Sequence, residues 1–344
     1  MTNGQTTMKT RLNFFSALLL AAGLMSSFPT FPAELPSLSA ETSGTTAVKL
    51  GQEYTEKGAD TCIKCHDEDS EFPVFSIFKT KHAQPADKRT PFAGSQCEAC
   101  HGPGTDHAKK VAPGEKQAPI IGFGTKSKLS ADALNPLSSE KQNQVCLGCH
   151  QGNARIGWNA SAHEGGNLAC ANCHKVHASH DTVLTKATQP EVCYKCHQKQ
   201  RADFSKPSAH PVRSGQLTCS DCHKPHGSNT TTALLANPTK NQTCYTCHAE
   251  KRGPLLWEHA PVAEDCGLCH SPHGSVHSAL LKKSPPLLCQ QCHSANDHAA
   301  VARTVAGLPG GSSGPSGFLL AGSCTNCHSQ VHGSNHPSGV KLMR

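Results

Sequence analysis

Cys219, Cys222 and His223 occupy positions i, i+3 and i+4, which share one face of a helical turn. Two thiols and an imidazole so placed can make two thioether bonds to a porphyrin and an axial bond to its iron, the attachment signature of c-type haem. His226 follows three residues later. Three extended residues span at most about 10–11 Å, too little to pass around the macrocycle and meet the same iron from its far side. His226 is therefore expected to cap a neighbouring haem.

The signature occurs ten times. Its cysteines are Cys62 and Cys65, Cys97 and Cys100, Cys146 and Cys149, Cys170 and Cys173, Cys193 and Cys196, Cys219 and Cys222, Cys244 and Cys247, Cys266 and Cys269, Cys289 and Cys292, and Cys324 and Cys327. The proximal imidazoles that follow are His66, His101, His150, His174, His197, His223, His248, His270, His293 and His328. All twenty cysteines are used, so none is left for a disulfide. A zinc site or a thioredoxin-like pair explains an isolated C-x-x-C, but not ten with a histidine always next in line.

Thirteen histidines remain. When the motifs are taken as five consecutive pairs, one histidine lies between the two motifs of each pair: His82, His163, His210, His259 and His298. Another follows each second motif: His107, His177, His226, His273 and His332. These ten are the expected distal ligands. His180 and His277 read as exposed side chains, and His336 competes with His332, which is favoured because its His-Gly-Ser repeats that at His226 and His273. The four methionines are Met1, Met8, Met25 and Met343, which nearly excludes methionine ligation. The expectation is ten bis-histidine, low-spin haems of low potential. Irons closed on both faces suit an electron carrier, not an enzyme. No proximal position carries the lysine of a nitrite-reductase-like haem, although a missing distal ligand could still open one site to substrate.

The rest of the chain must position these groups with little material of its own. Only 36% of the 344 residues are hydrophobic and 5% aromatic, beside 29 glycines and 23 prolines, too little for a protein-only core. Ten porphyrins would supply the missing apolar bulk. The fold class expected is a multihaem c-type cytochrome with little regular secondary structure and short α-helices at the attachment sites. The formal charge of +7 misleads, since removal of Lys9 and Arg11 and addition of ten haems would bring the oxidised protein to about −5. No nucleic-acid partner is expected.

Lys9 and Arg11 precede an apolar run from Phe14 to Met25, of export-signal length and too short for a membrane span. Residues 1–33 read as a signal peptide, cleaved between 33 and 40, with an uncleaved amphipathic anchor as the alternative. Residues 41–58 read as a flexible lead-in, and 59–344 as one decahaem domain. CYKCH through CSDCHKPHGS returns as CYTCH through CGLCHSPHGS about fifty residues later, marking a repeat. Both five two-haem units and two five-haem halves, 59–200 and 201–344, accommodate that repeat. Residues 102–145 and 294–323 read as loops, surface-disordered or partner-facing.

Several stretches resemble a known family: GADTCIKCH at 58–66, CEACHGP at 97–103, CHAEKRGPLLWEHAPV at 247–262, CHSPHGSV at 269–276, LCQQCH at 288–293 and CTNCHSQVHGSNHPSG at 324–339. The chain resembles the periplasmic decahaem cytochromes of the MtrA type over essentially its whole exported length. That resemblance implies an elongated bis-histidine haem wire lodged in an outer-membrane β-barrel porin. It further implies an extracellular multihaem cytochrome on one side and a periplasmic or inner-membrane quinol-linked cytochrome donor on the other. Such a conduit serves extracellular metal or other terminal-acceptor respiration. A soluble periplasmic shuttle and a multihaem reductase are the alternatives.

Overall fold

The computed structural model describes residues 51–124, 138–152, 155–228, 234–293 and 324–344. The expected signal peptide, residues 41–50 of the lead-in, the segment 294–323 and its ligand candidate His298 lie outside the described residues.

Each attachment motif closes one helical turn. In all ten, the histidine N–H donates to the carbonyl of the first cysteine at 2.8–3.1 Å, which brings both cysteines and the imidazole to one side. Some of these turns belong to short α-helices, such as Ala59–Cys62, Glu98–His101, Cys170–Cys173, Gln189–Tyr194 and Lys240–Tyr245. Others are single 3₁₀ turns, at Cys219–Asp221, Cys266–Leu268, Cys289–Gln291 and Cys324–Asn326. Helices this short do not sustain themselves, because each must meet the cost of nucleation with few hydrogen bonds to gain. The longest described helix has nine residues, Ser139–Leu147, with Ser138 capping its start by accepting from the Lys141 N–H. It begins inside the stretch read as a loop over 102–145, so that loop ends earlier than expected. The serine cap and the run without proline or glycine from 139 to 147 are the reason. Among the described residues there is no strand, only four isolated bridges: Ser208 with Ser275, His223 with Leu235, Trp257 with Ser334 and His270 with Leu281.

The chain has little apolar interior. The described hydrophobic cluster comprises Ala59, Ala83 and Phe92, with Ile77 and Cys97 against it. Buried polar side chains carry much of the order. Glu98, 4% exposed, accepts from the backbone N–H and the hydroxyl of Thr55 and from the Gly104 N–H. Thr105 N–H also donates to the Glu53 carbonyl. The end of the lead-in is thus tied to the second attachment site instead of hanging free, because a buried carboxylate needs those donors.

Amides staple attachment sites together. Asn143 Oδ1 accepts from the Cys170 N–H at 2.8 Å while its Nδ2 donates to the Leu168 carbonyl. Asn241 repeats this with the Cys266 N–H at 2.7 Å and the Val262 carbonyl. Gln189 spans the third pair, where its Oε1 accepts from Ser220 N–H. That bond crosses 200/201, where a division into halves would fall, and Val48–Arg344 forms one compact unit. With so few buried apolar side chains, the chain matured without haem is expected to stay expanded. Far-ultraviolet circular dichroism and small-angle scattering of a variant with every motif cysteine replaced by alanine should show a coil.

Candidate functional site

The described proximal histidines are met by the candidate distal ones in a regular order. The imidazole pairs are His66 with His107, His150 with His82, His101 with His177, His197 with His163, His174 with His226, His248 with His210, His223 with His273, His293 with His259, and His270 with His332. Their ring centres lie 5.9–6.4 Å apart. Two metal–imidazole bonds of about 2 Å end to end, plus roughly 1.1 Å from each nitrogen to its ring centre, give about 6.2 Å. Each pair is therefore spaced to hold one metal ion between its rings.

The order has a rule. From the second pair of motifs onward, the histidine following a second motif faces the second proximal imidazole of the preceding pair: His177 meets His101, His226 meets His174, His273 meets His223 and His332 meets His270. Each described histidine lying between two motifs faces the first proximal imidazole of the following pair: His82 meets His150, His163 meets His197, His210 meets His248 and His259 meets His293. At the front end no earlier pair exists, and His107 turns to His66. Beyond these nine pairs there remain the proximal residue His328 and the distal candidate His298, which lies outside the described residues. His226 thus reaches back over the fifth site to the fourth, further than a sequence neighbour.

Backbone carbonyls orient these rings. Nδ1 of His163 donates to the Pro225 carbonyl, His210 to Pro272 and His259 to Val331, at 2.7–2.8 Å. Each acceptor immediately precedes the later histidine of the next pair, so the same contact ties neighbouring pairs. His101, His107, His270 and His328 donate likewise to Ile121, Ala118, Ala279 and Lys341. A carbonyl can only accept, so Nδ1 carries a proton, and in the neutral ring Nε2 keeps its lone pair. Burial pushes the imidazoles of His101, His150, His177, His226, His273 and His332 below their ordinary pKa. That favours the neutral form that coordinates a metal.

The cysteines form a continuous succession. In the haem-free protein the Cys62 and Cys97 thiols interact directly, as do Cys146 with Cys170 and Cys193 with Cys219. The hydrogen bond from Cys146 lowers Cys170 to about 7, and that from Cys193 does the same for Cys219. Burial and then Cys266 raise Cys244 to about 11, and burial and then Cys324 do so for Cys289. Between pairs the second cysteines act on one another through space: after burial, Cys100 feels Cys149, Cys173 feels Cys196, Cys222 feels Asp221 and then Cys247, and Cys269 feels Cys292. Paired neutral imidazoles opposite two-cysteine turns fit covalent haem.

Comparison with known proteins agrees. The family model "Doubled CXXCH motif" matches residues 210–253 and 259–298, and "Cytochrome c-type protein NrfB-like" matches 97–188. The multiheme cytochrome MtrA of Shewanella baltica (strain OS185) is 51% identical over 291 residues, covering 85% of this chain and 83% of that protein. The chain belongs to the MtrA family of multihaem cytochromes. It is an electron-transfer cytochrome of the c type. The cytochrome c-type protein NrfB of Haemophilus influenzae is 29% identical over 164 residues, covering 42% of this chain and 68% of that relative.

Within this MtrA-family chain, residues without ligand chemistry set the approach of the distal histidines. Gly274, after His273, has φ +154°, and a Cβ there would run into the Asp203 carbonyl. Gly227, after His226, packs its backbone on Gly157, and Gly333, after His332, lies against Leu255 and Trp257. The glycine of each His-Gly-Ser is thus a close-approach point one repeat back, as at the bridges Ser208–Ser275 and Trp257–Ser334. His332 faces His270, whereas His336 is exposed, accepts from Trp257 Nε1 at its carbonyl and bonds Ser338 through Nδ1. His180 is exposed, but His277 is half-buried because its N–H is held by the Ser275 hydroxyl. The stapling residues Asn143 and Asn241 escaped the reading by motif. Their signal was the recurrence of Asn-Gln-x-Cys at 143–146 and 241–244. Gly274→Ala is expected to cost about 1–3 kcal/mol of strain beyond the clash itself. It should also draw His273 away from His223, leaving part of the haem at Cys219 and Cys222 high-spin in electron paramagnetic resonance.

Proposed function

We propose that this cytochrome is a ten-haem conductor in which every iron is bis-histidine and the haems follow one another in sequence order. The unbroken succession of attachment cysteines supports the order, first cysteine to first cysteine within pairs and second to second between them. When bound, each haem c supplies a one-electron ferric/ferrous couple. The residues do the rest. Cys62, Cys65 and their eighteen counterparts hold the macrocycles, and the ten proximal and ten distal histidines close both faces against substrate. His298, which lies between the ninth and tenth motifs, is the candidate assigned to the iron at His328. Nine described proximal imidazoles already face a partner ring, which favours a carrier over a reductase with an open iron.

The place of work proposed is the outer membrane, with the chain inside a β-barrel porin between a periplasmic, quinol-linked cytochrome donor and an extracellular multihaem cytochrome. Family membership supports this setting, as does the apolar run after Lys9 and Arg11. Among the described residues no helix is long and apolar enough to cross a membrane, so passage through lipid requires a sheath of protein. The complex reconstituted in sealed vesicles should carry electrons from an external reductant to an enclosed acceptor. A free periplasmic shuttle would not co-purify with a barrel or reduce the enclosed acceptor. His226→Ala should leave the haem at Cys170 and Cys173 five-coordinate, and His298→Ala the haem at Cys324 and Cys327. Each variant should show one high-spin ferric signal and slower transfer across the vesicle wall.

A further inference from the structure

His174 is held differently from His101 and His270. At the eighth site His270 Nδ1 donates to the Ala279 carbonyl at 2.8 Å, and the next residue, Ser271, donates its N–H to the Leu280 carbonyl at 2.7 Å. At the fourth site one side chain replaces both carbonyls. Asp181 Oδ2 accepts from His174 Nδ1 at 2.6 Å, and Oδ1 accepts from the Lys175 N–H at 3.2 Å. Oδ1 also accepts from the Val183 N–H at 3.3 Å, and the carboxylate is only 16% exposed, so it is fixed in place and partly shielded from water. His248 also lies near a carboxylate, but Glu250 is 3.9 Å away with both side chains exposed, beyond hydrogen-bonding reach.

We propose that Asp181 holds the haem attached at Cys170 and Cys173 at a lower reduction potential than haems whose axial imidazoles rest on backbone carbonyls, as at His101 and His270. The inference rests on His174 being an axial ligand, as the conductor reading has it. Asp181 would act on the haem through His174, to whose Nδ1 it is bonded, and is therefore a positioning residue. A hydrogen bond to an ionised acceptor is roughly twice as strong as one to a neutral acceptor. It draws the Nδ1 proton away from the ring, makes Nε2 a stronger donor and favours the ferric iron over the ferrous. Arg155 acts through space on His226, the ring opposite, but also on His150 at the third site, so it does not single out the fourth.

Asp181→Asn in the full decahaem protein tests this, because the amide keeps an acceptor oxygen and removes the charge. In a potentiometric titration followed by electron paramagnetic resonance, the reduction equilibrium constant of one haem should rise about tenfold, equal to about 59 mV for one electron. The other nine should stay in place, and Asp181→Glu should restore most of the difference. Ten low-spin haems with an unchanged titration in Asp181→Asn overturn the proposal and leave the ligation reading intact. If that variant fails to mature, near-infrared magnetic circular dichroism of the unmodified protein decides. One haem in ten should show the displaced charge-transfer band of an imidazolate-like ligand, and its absence overturns the proposal. A high-spin ferric signal in the unmodified protein that maps to the fourth site removes the ligation on which it rests.

Discussion

A turn that carries two thioether cysteines and an imidazole grips one face of a macrocycle, and a residue close behind it cannot swing round to the other. The second imidazole has to come from a distant part of the chain. In this protein the facing histidines are 34 to 76 residues apart, and most belong to different motif pairs. Each two-site unit therefore both lends rings to its neighbours and borrows rings from them. Under the proposed ligation, the long-range organisation is carried by metal–imidazole bonds together with the backbone contacts that aim the rings. That explains how a chain with a hydrophobic cluster built around Phe92 and two alanines holds a defined shape locally.

The polar interior follows from the same economy. Glu98, Asn143 and Asn241 are buried where an ordinary domain would place leucine or valine. Each meets several backbone donors or acceptors, so none is left unsatisfied by desolvation. They set how closely two attachment turns approach, and the cysteine contacts show that this approach has two alternating forms. The "Doubled CXXCH motif" match at 210–253 takes in the sixth and seventh sites, and that at 259–298 the eighth and ninth. These frames straddle the joints between pairs. Both frames describe real adjacencies, since each site has one neighbour through its first cysteine and another through its second.

Much of this was legible in the sequence, because covalent attachment fixes residue type and spacing locally. The ten turns and the division of histidines into proximal and distal sets needed only the i, i+3, i+4 rule and the period of the repeat. Which ring meets which iron was not legible. His226 and His273 follow the second motif of their pairs as His107 does, yet His107 turns to the first site because no earlier pair precedes it. End effects of that kind depend on the whole array. The role of the glycine in His-Gly-Ser was hidden for a similar reason, since the Asp203 carbonyl it must clear lies 71 residues earlier. The start of the helix Ser139–Leu147 was hidden because the prolines and glycines of the preceding stretch run on to Pro136, two residues before its Ser138 cap.

The handing back of rings from one pair to the one before it also orders events in time. A chain that emerges N-terminus first presents His101 long before His177, His174 before His226, and His270 before His332. Under the proposed ligation, the haems at Cys97, Cys170, Cys219 and Cys266 would stay open on one side until 50–76 more residues had emerged, whereas His82, His163, His210 and His259 precede the irons they would cap. The leading sites would be closed while the trailing ones are still being loaded. Loss of His177, His226, His273 or His332 would then open an iron not beside that residue but in the pair already delivered.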